Sequence, residues 1–172
     1  MGLHKHPSPH VLDGTAGLGR DGYTLAALGA TVTLVERSHA LVRLLRDAQT
    51  RALSDETLRA AADRITLIEA STHALLASSA SEAAAWDVVY LDPMYPEDGK
   101  SALPSKEMQV LRDLTGGDAD ADELLDLALA CARQRVVIKR PAKAVWLAGR
   151  KPSLELKGTQ ARFDIYFPSP KS

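Results

Sequence analysis

Short apolar runs alternate with longer amphipathic stretches along the chain, which is typical of an α/β protein with a largely parallel sheet. The apolar runs predict seven strands, at residues 10–12, 31–35, 65–68, 88–91, 136–138, 154–156 and 163–167. No helical stretch separates the last two runs, so they predict an antiparallel hairpin at one edge of the sheet.

Four amphipathic stretches predict helices, at residues 21–28, 39–53, 73–85 and 121–132. Gly29 follows the first stretch and Ser38 precedes the second, and these residue types suit a helix stop and an N-cap. The sequence contains no internal repeat and no linker. We therefore expect one domain over residues 1–172, with residues 1–9 as a flexible tail.

Composition limits the class of protein. The chain has 172 residues, 45% of them hydrophobic, which suits one globular domain with a real core. It lacks the roughly 20 consecutive apolar residues of a membrane span, and its first residues lack a signal-peptide apolar region. We therefore expect a cytoplasmic protein with no membrane partner. The sequence does not predict an oligomeric state.

Cysteine and histidine usage predicts no special chemistry. Cys131 lies in an apolar stretch and is expected to be a buried small hydrophobic residue. His4, His6 and His10 are expected to lie in the terminal tail, and the other two histidines are far apart in the sequence. We therefore expect no metal site.

Charge is distributed unevenly along the chain. Residues 1–132 contain 11 Lys and Arg against 20 Asp and Glu, whereas residues 133–172 contain 10 against 2. Such a basic end can attract a polyanion such as RNA. Charge along a sequence need not form a patch in space, so an ordinary solvated surface is an equal alternative.

A glycine-rich turn follows the first predicted strand. Residues 13–19 read DGTAGLG and lead into the first predicted helix. Glycines permit a tight turn and a close approach of backbone to ligand, and the helix offers free N–H groups at its positive end. Residues 17–22 also match Gly-x-Gly-x-x-Gly, the dinucleotide fingerprint, although Gly22 would fall inside the predicted helix.

An acidic residue follows the second predicted strand. Glu36 lies about 20 residues beyond the glycine turn, where an acidic side chain commonly binds ribose hydroxyls. Arg37 beside it could pack over an adenosine. The alternative for Glu36 is a solvated strand end, but its distance from the turn favours a nucleotide site.

A carboxylate–proline–aromatic loop follows the fourth predicted strand. Residues 89–96 read VYLDPMYP, which places Asp92 where open α/β sheets bind ligands. Pro93 and Pro96 stiffen the loop, and an ordinary Asp-Pro turn is the alternative. A dinucleotide site leaves this loop unexplained. A site for the methyl donor S-adenosylmethionine (SAM) explains both the loop and Glu36, because the loop can present an amine to the methyl group.

These motifs resemble known methyltransferase motifs. Residues 13–19 with Glu36 resemble motif I and the acidic residue of class I SAM-dependent methyltransferases, and residues 92–95 resemble their Asp-Pro-Pro-Tyr loop. Longer strings resemble the RsmJ family, which methylates the N2 amine of a guanine in 16S ribosomal RNA. The strings are LDGTAGLGRD (12–21), VYLDPMYP (89–96), KSAL (100–103), KEM (106–108), VIKRP (137–141), KG (157–158) and RFDIY (162–166).

The resemblance implies a Rossmann-like class I fold with helices on both faces of the sheet. It also implies SAM as the cofactor and 16S ribosomal RNA, or the small ribosomal subunit, as the partner. The implied SAM-binding residues are Asp13, Gly17, Arg20, Asp21, Glu36, Arg37, Ser71, Thr72 and Asp92. The implied catalytic residues are Asp92, Pro93 and Tyr95.

Several implied roles have plain structural alternatives. Ser71 and Thr72 would also serve as helix caps, and Arg20 and Asp21 would also serve merely to begin a helix. We expect four basic residues to hold RNA phosphates around the site, with surface solvation as an equal alternative. They are Lys100, Lys106, Lys139 and Arg140.

Two features depart from the family pattern. Gly14 stands where the family more often has Ala, and we expect that exchange to be tolerated. The first predicted strand begins about ten residues into the chain, whereas family members carry a substantial segment before it. We therefore expect this chain to lack the N-terminal segment of the family.

Three other functions remain open from the sequence. One is another amino-methyltransferase, acting on DNA adenine or on a protein amide. Another is a nicotinamide-dependent oxidoreductase that uses residues 17–22. The third is an RNA-binding module without catalysis.

We expect substitutions of Tyr95 to separate stacking from other roles. If its ring stacks on the target base, Tyr95→Phe keeps most of the methylation rate, whereas Tyr95→Ala loses a contact worth about 1–3 kcal/mol. The measurement is transfer of labelled methyl groups from SAM to ribosomal RNA. Equal rates for the two variants would contradict stacking.

Overall fold

The strands form one sheet with the order β3-β2-β1-β4-β5-β7-β6 in a computed structural model that describes residues 8–79, 86–93, 121–159 and 161–169. The strands are β1 (His10–Asp13), β2 (Thr31–Glu36), β3 (Ile65–Glu69), β4 (Trp86–Leu91), β5 (Ala132–Pro141), β6 (Leu154–Lys157) and β7 (Ala161–Tyr166). Strands β1 to β5 pair in parallel, and β7 is antiparallel to both β5 and β6. The predicted seven-stranded sheet with an antiparallel edge hairpin is confirmed.

The helices lie close to their predicted positions. They are α1 (Arg20–Ala27), α2 (His39–Ser54), α3 (Arg59–Ala62), α4 (Thr72–Ser79) and α5 (Ala121–Cys131), with a 3₁₀ turn at Leu147–Gly149. The short α3 and the 3₁₀ turn were not predicted. Residues 80–85 of the predicted third helix lie outside the described residues. Strand β5 extends beyond its apolar centre because it continues to pair with its neighbours on both sides.

Both faces of the sheet are buried. On one face, Val88 and Tyr90 of β4 pack in a cluster with Leu25 of α1 and Leu45 of α2. On the other face, the alternate strand residues pack in a cluster with side chains of α4 and α5. Strands that are buried on both sides have nearly continuous apolar sequences, which is why the sequence pattern predicted their positions well.

The parallel pairing brings the carboxyl ends of neighbouring strands to one edge of the sheet. Asp13 ends β1, Glu36 ends β2, and Asp92 directly follows β4. The chain order reverses between β1 and β4, and open α/β sheets bind ligands at such a reversal. Strand alternation places Asp13 and Tyr90 on the face that α1 covers.

His10 lies in β1, at the start of the first predicted strand, and so does not belong with His4 and His6 in a terminal tail. Its Nε2 is 3.0 Å from Thr33 Oγ1, and its backbone N–H donates to Asp87 Oδ2 at 2.9 Å. Cys131 is buried, as expected. Within the described ranges, no helix has the length and apolar content to cross a membrane. No three His, Cys, Asp or Glu side chains in those ranges are grouped as metal ligands.

Gly22 allows α1 to pack closely on β2, and Gly22→Ala should destabilise the protein. A Cβ there would lie 2.2 Å from Leu34 Cδ2 and 3.1 Å from Asp13 Oδ2. Alanine usually stabilises a helix interior by about 1 kcal/mol relative to glycine, but overpacking costs about 1–3 kcal/mol. We expect a net loss of up to about 2 kcal/mol in the free energy of unfolding, measured by urea denaturation.

The exposed Thr24 of the same helix supplies the control. Thr24→Ala should leave the urea midpoint unchanged or raise it slightly. A Gly22→Ala midpoint equal to or above that of the wild type would show that the core accommodates the methyl group.

Candidate active site at the carboxyl ends of the strands

The glycine turn between β1 and α1 has a backbone that favours glycine. Gly17 and Gly19 have φ angles of 53° and 75°, in the left-handed region. Backbone hydrogen bonds hold the turn on both sides, from Gly14 N to the Tyr90 carbonyl and from Ala16 N to the Val35 carbonyl. The turn is therefore attached to the ends of both β4 and β2.

Glu36 is buried and holds the turn against β2. Its Oε2 accepts a hydrogen bond from Gly17 N at 2.9 Å, and its Oε1 accepts one from Ser38 N at 2.8 Å. The side chain is not a solvated strand end. Each carboxylate oxygen retains a second lone pair, so Glu36 can still accept hydroxyl donors from a ligand.

Ser38 occupies the N-cap position of α2, as predicted, but its side chain makes no capping hydrogen bond. Its backbone N–H instead donates to the Glu36 carboxylate. The start of α2 is thereby connected to the same carboxylate as the glycine turn.

Asp13 supports the turn from the inside. It is 1% exposed, and its Oδ1 accepts a hydrogen bond from Thr15 N at 3.1 Å. Burial raises the pKa of its carboxyl group to about 7, and the Thr15 hydrogen bond opposes that shift. The nearby charges of Asp21 and Asp92 raise the pKa further.

Lys139 connects two further carboxylates. Its Nζ lies 2.9 Å from Asp21 Oδ2 and 3.0 Å from Asp92 Oδ2. Tyr90 also donates its hydroxyl to Asp21 Oδ2, at 2.5 Å. Burial favours the neutral form of Asp21, but the hydrogen bonds from Lys139 and Tyr90 outweigh it and hold the Asp21 pKa below its usual value.

Asp92 is anchored to the glycine turn. Its backbone N–H donates to Thr15 Oγ1 at 2.6 Å, while its side chain is 39% exposed. The carboxylate can therefore face a ligand from a backbone position that is held in place. Pro93 after it is buried. Met94 and Tyr95, like Lys100 and Lys106, lie outside the described residues.

The remaining predicted binding residues lie around the same edge. Arg20 begins α1 and Arg37 follows β2, and both are exposed. The carbonyl of Ser71 accepts a hydrogen bond from Leu75 N at the start of α4. The Thr72 hydroxyl donates to the Gly14 carbonyl, which brings α4 against the turn. Their contacts with a cofactor remain predictions.

Gly14 is more crowded than the sequence suggested. A Cβ there would lie 2.6 Å from Thr72 Cγ2 and 2.8 Å from Leu91 Cδ2. An alanine at this position therefore requires both side chains to move. The expectation that glycine is tolerated where the family more often has alanine stays a prediction.

Arg140 is buried, which contradicts the exposed phosphate contact expected of it. It is 1% exposed, and its Nη2 donates to the Val145 carbonyl. It pairs across the sheet with Arg162, which donates to both carboxylate oxygens of Asp164, at 2.6 and 2.9 Å. Alternation along β5 explains the error, because it places Arg140 on the buried face opposite Lys139.

Lys139 also differs from its expected role, since its ammonium group contacts carboxylates of the site. Tyr90 and Thr15 were missed altogether. Tyr90 could have been found from the period of two along a strand, because it lies two residues before Asp92 and shares its face. Thr15 lies in the glycine turn and had no separate signal.

The assembled cluster suits a cationic ligand. Asp21 and Asp92 share one ammonium group, and Asp13 lies beneath them with a pKa near neutrality. Half-buried carboxylates favour positive charge nearby. The left-handed turn and Glu36 beside this cluster suit the close approach of a nucleoside.

Comparison with known sequences links the chain to methyltransferases. The model of a family described as "Putative SAM-dependent methyltransferase" matches residues 1–168. The "Ribosomal RNA small subunit methyltransferase J" of Vibrio vulnificus (strain CMCP6) is 51% identical over 171 residues, covering 96% of this chain and 66% of the relative. The protein of the same name from Thioalkalivibrio sulfidiphilus (strain HL-EbGR7) is 49% identical over 166 residues, covering 96% and 65%. The chain thus spans slightly less than two thirds of their length.

Solved structures share the fold. The crystal structure of a SAM-dependent methyltransferase from Neisseria gonorrhoeae is 37% identical, with a TM-score of 0.76, over 95% of this chain and 63% of that one. An rRNA methyltransferase from Streptomyces viridochromogenes is 15% identical, with a TM-score of 0.56, over 94% and 77%. The second likeness concerns the fold alone. The predicted class I methyltransferase fold is confirmed.

Asp13→Asn should change how stability depends on pH. The folded pKa of about 7 exceeds the ordinary value of 3.8, so the wild type loses stability as the pH rises from about 4 to about 7. Asparagine keeps the acceptor for Thr15 N and cannot ionise. We expect the variant to gain about 4 kcal/mol relative to the wild type across this range. The measurement is urea unfolding at several pH values.

The exposed Asp63 provides the control. Asp63→Asn should follow the wild-type pH curve. A constant difference between Asp13→Asn and the wild type from pH 4 to pH 8 would contradict a raised pKa for Asp13.

Proposed function

Because the chain belongs to the SAM-dependent methyltransferase family, whose model matches residues 1–168, we propose that it methylates the N2 amine of a guanine in 16S ribosomal RNA, with SAM as donor. One observation carries the proposal. The hydrogen bond from Asp92 N to Thr15 Oγ1 attaches the backbone of Asp92 to the glycine turn. The names of the curated relatives support an RNA substrate.

The donor side consists of the turn, Glu36 and the surrounding strand ends. When bound, SAM supplies a methyl group activated by its sulfonium charge. The remaining lone pairs of Glu36 accept the ribose hydroxyls, and the backbone at Gly17 permits close approach. The proposed SAM-binding residues are Asp13, Gly17, Arg20, Asp21, Glu36, Arg37, Ser71, Thr72 and Asp92.

The acceptor side must overcome the low nucleophilicity of guanine N2, whose lone pair is delocalised into the base. Asp92 and the carbonyl of Pro93 accept hydrogen bonds from the amine and favour a pyramidal nitrogen. The N2–methyl bond forms as the sulfur–methyl bond breaks, and the surplus N2 proton leaves to solvent. The rate acceleration comes from holding the methyl donor and the amine in near-attack geometry. Tyr95 stacks on the base.

The target base must be unpaired or flipped out of its helix to enter this site. We propose that residues 1–172 act as one domain, in the cytoplasm, on 16S ribosomal RNA or the small subunit. The glycine string alone does not select the cofactor, since Gly22 packs α1 on β2 in the way a dinucleotide fold also requires. Family membership favours SAM over a nicotinamide cofactor.

Asp92→Ala should abolish most methylation. The substitution removes the carboxylate that orients the amine, and we expect a loss of about 100-fold in kcat. The measurement is transfer of labelled methyl from SAM to small-subunit RNA, with mass analysis of the methylated nucleoside. Asp126→Ala, which removes an exposed partner of Arg150, is the matched control.

Three outcomes would contradict the proposal. Near-wild-type activity of Asp92→Ala would remove Asp92 from the chemistry. Methylated adenine or protein amide in place of methylguanine would change the substrate class. Calorimetry that showed binding of NAD but no binding of SAM would favour a nicotinamide-dependent oxidoreductase over a methyltransferase.

A further inference from the structure

Lys139 lies beside Asp92 because of the strand register. The parallel ladder pairs Leu91 of β4 with Ile138 of β5, so the next residues, Asp92 and Lys139, emerge side by side. Alternation places Lys139 on the face that α1 covers, where Asp21 begins the helix. Its ammonium group therefore reaches both carboxylates, at 2.9 and 3.0 Å.

The surroundings hold the ammonium group in place. Phe163 of β7 lies opposite Lys139 in the antiparallel ladder, and the Lys139 side chain is 31% exposed. Its titratable neighbours come from α1, β1 and β4. Asp21 belongs to α1, Asp13 to β1, and Tyr90 and Asp92 to β4 and its end.

These neighbours keep Lys139 charged. Burial lowers its pKa, but the hydrogen bond to Asp21 and the charge of Asp92 outweigh burial, and the net pKa is raised. Without the ammonium group, the carboxylates of Asp21 and Asp92 would repel each other across a half-buried space. Asp92 would then turn toward water or take up a proton.

We propose that Lys139 is a positioning residue of the methyl-transfer site, which holds the Asp92 carboxylate ionised and directed toward the acceptor amine while binding Asp21 on the donor side. The inference rests on the proposed function for its kinetic consequence. The effect of the Lys139 charge on the ionisation of Asp92 rests on the structure alone. Lys139 acts through Asp92 and needs no contact with the substrate.

The position distinguishes this role from binding of RNA phosphate. A phosphate-binding lysine points to open solvent and adds to affinity. Lys139 instead has two carboxylate oxygens within 3.0 Å. Its loss should therefore reduce kcat more than it raises the KM for RNA, whereas loss of a phosphate contact would mainly raise the KM and weaken its salt dependence.

The test compares Lys139→Met with Lys139→Arg and Lys157→Met. Methionine keeps the stem without the charge, and arginine restores the charge. Lys157 is the matched control, because it pairs with Glu155 at 3.2 Å on the exposed edge hairpin. Measurements are kcat and KM for RNA between pH 5 and pH 9, with SAM binding by calorimetry.

We expect Lys139→Met to lower kcat at least tenfold and to move the acidic limb of its pH profile to higher pH, because Asp92 ionises less readily without the cation. Lys139→Arg should recover at least a third of the wild-type kcat, and its acidic limb should lie at the same pH as that of the wild type. Lys157→Met should match the wild type. An unchanged kcat and an unchanged acidic limb in Lys139→Met would overturn the proposal. A kcat as low in Lys139→Arg as in Lys139→Met would also overturn it.

A second measurement separates this inference from the proposed function. Carbon-13 NMR of the aspartate carboxyl groups should show Asp92 titrating at higher pH in Lys139→Met than in the wild type, whether or not RNA is methylated. An inactive wild type with this shift would refute only the proposed reaction. An active wild type without the shift would refute only the role of Lys139. Should Lys139→Met not fold, Lys139→Gln replaces it in both measurements.

Discussion

Close packing of carboxylates at one edge of a parallel sheet is the constraint on which this site depends. Asp13, Asp21 and Asp92 come together where β1 and β4 end, and Lys139 places one ammonium group between two of them. Like charges in a half-buried space repel strongly. The cluster is therefore stable only with Lys139 in place or with one carboxyl group protonated, and Asp13 has the raised pKa that such protonation requires.

The glycine turn connects this arrangement to the rest of the proposed nucleotide site. Glu36 accepts a hydrogen bond from Gly17 N, and Thr15 Oγ1 accepts one from Asp92 N. The groups proposed for the donor side and the acceptor side thus share one short segment of backbone. Methyl transfer requires two reactants within a narrow range of distance and angle, and a shared segment is a direct way to set both.

Buried charge elsewhere has a different role. Arg140 and Arg162 are neighbours across β5 and β7, and Arg162 donates to carbonyls of Ala142 and Ala144 while Arg140 donates to that of Val145. Asp164 compensates Arg162 with two hydrogen bonds. These contacts hold the segment after β5, which leaves the same edge of the sheet as Asp92. Two of the basic residues near the C-terminal end, Arg140 and Arg162, therefore have structural contacts.

The sequence by itself determined the sheet, most helix positions and the strand ends that carry Asp13, Glu36 and Asp92, because buried parallel strands and glycine turns are local patterns. Tertiary structure alone decided the partner of Lys139, the burial of Arg140 and the contact between Tyr90 and Asp21. Period-two alternation shows that Lys139 and Arg140 point to opposite faces, but not which face α1 covers. That choice depends on strand order, register and helix packing, which are set by contacts between residues far apart in the chain.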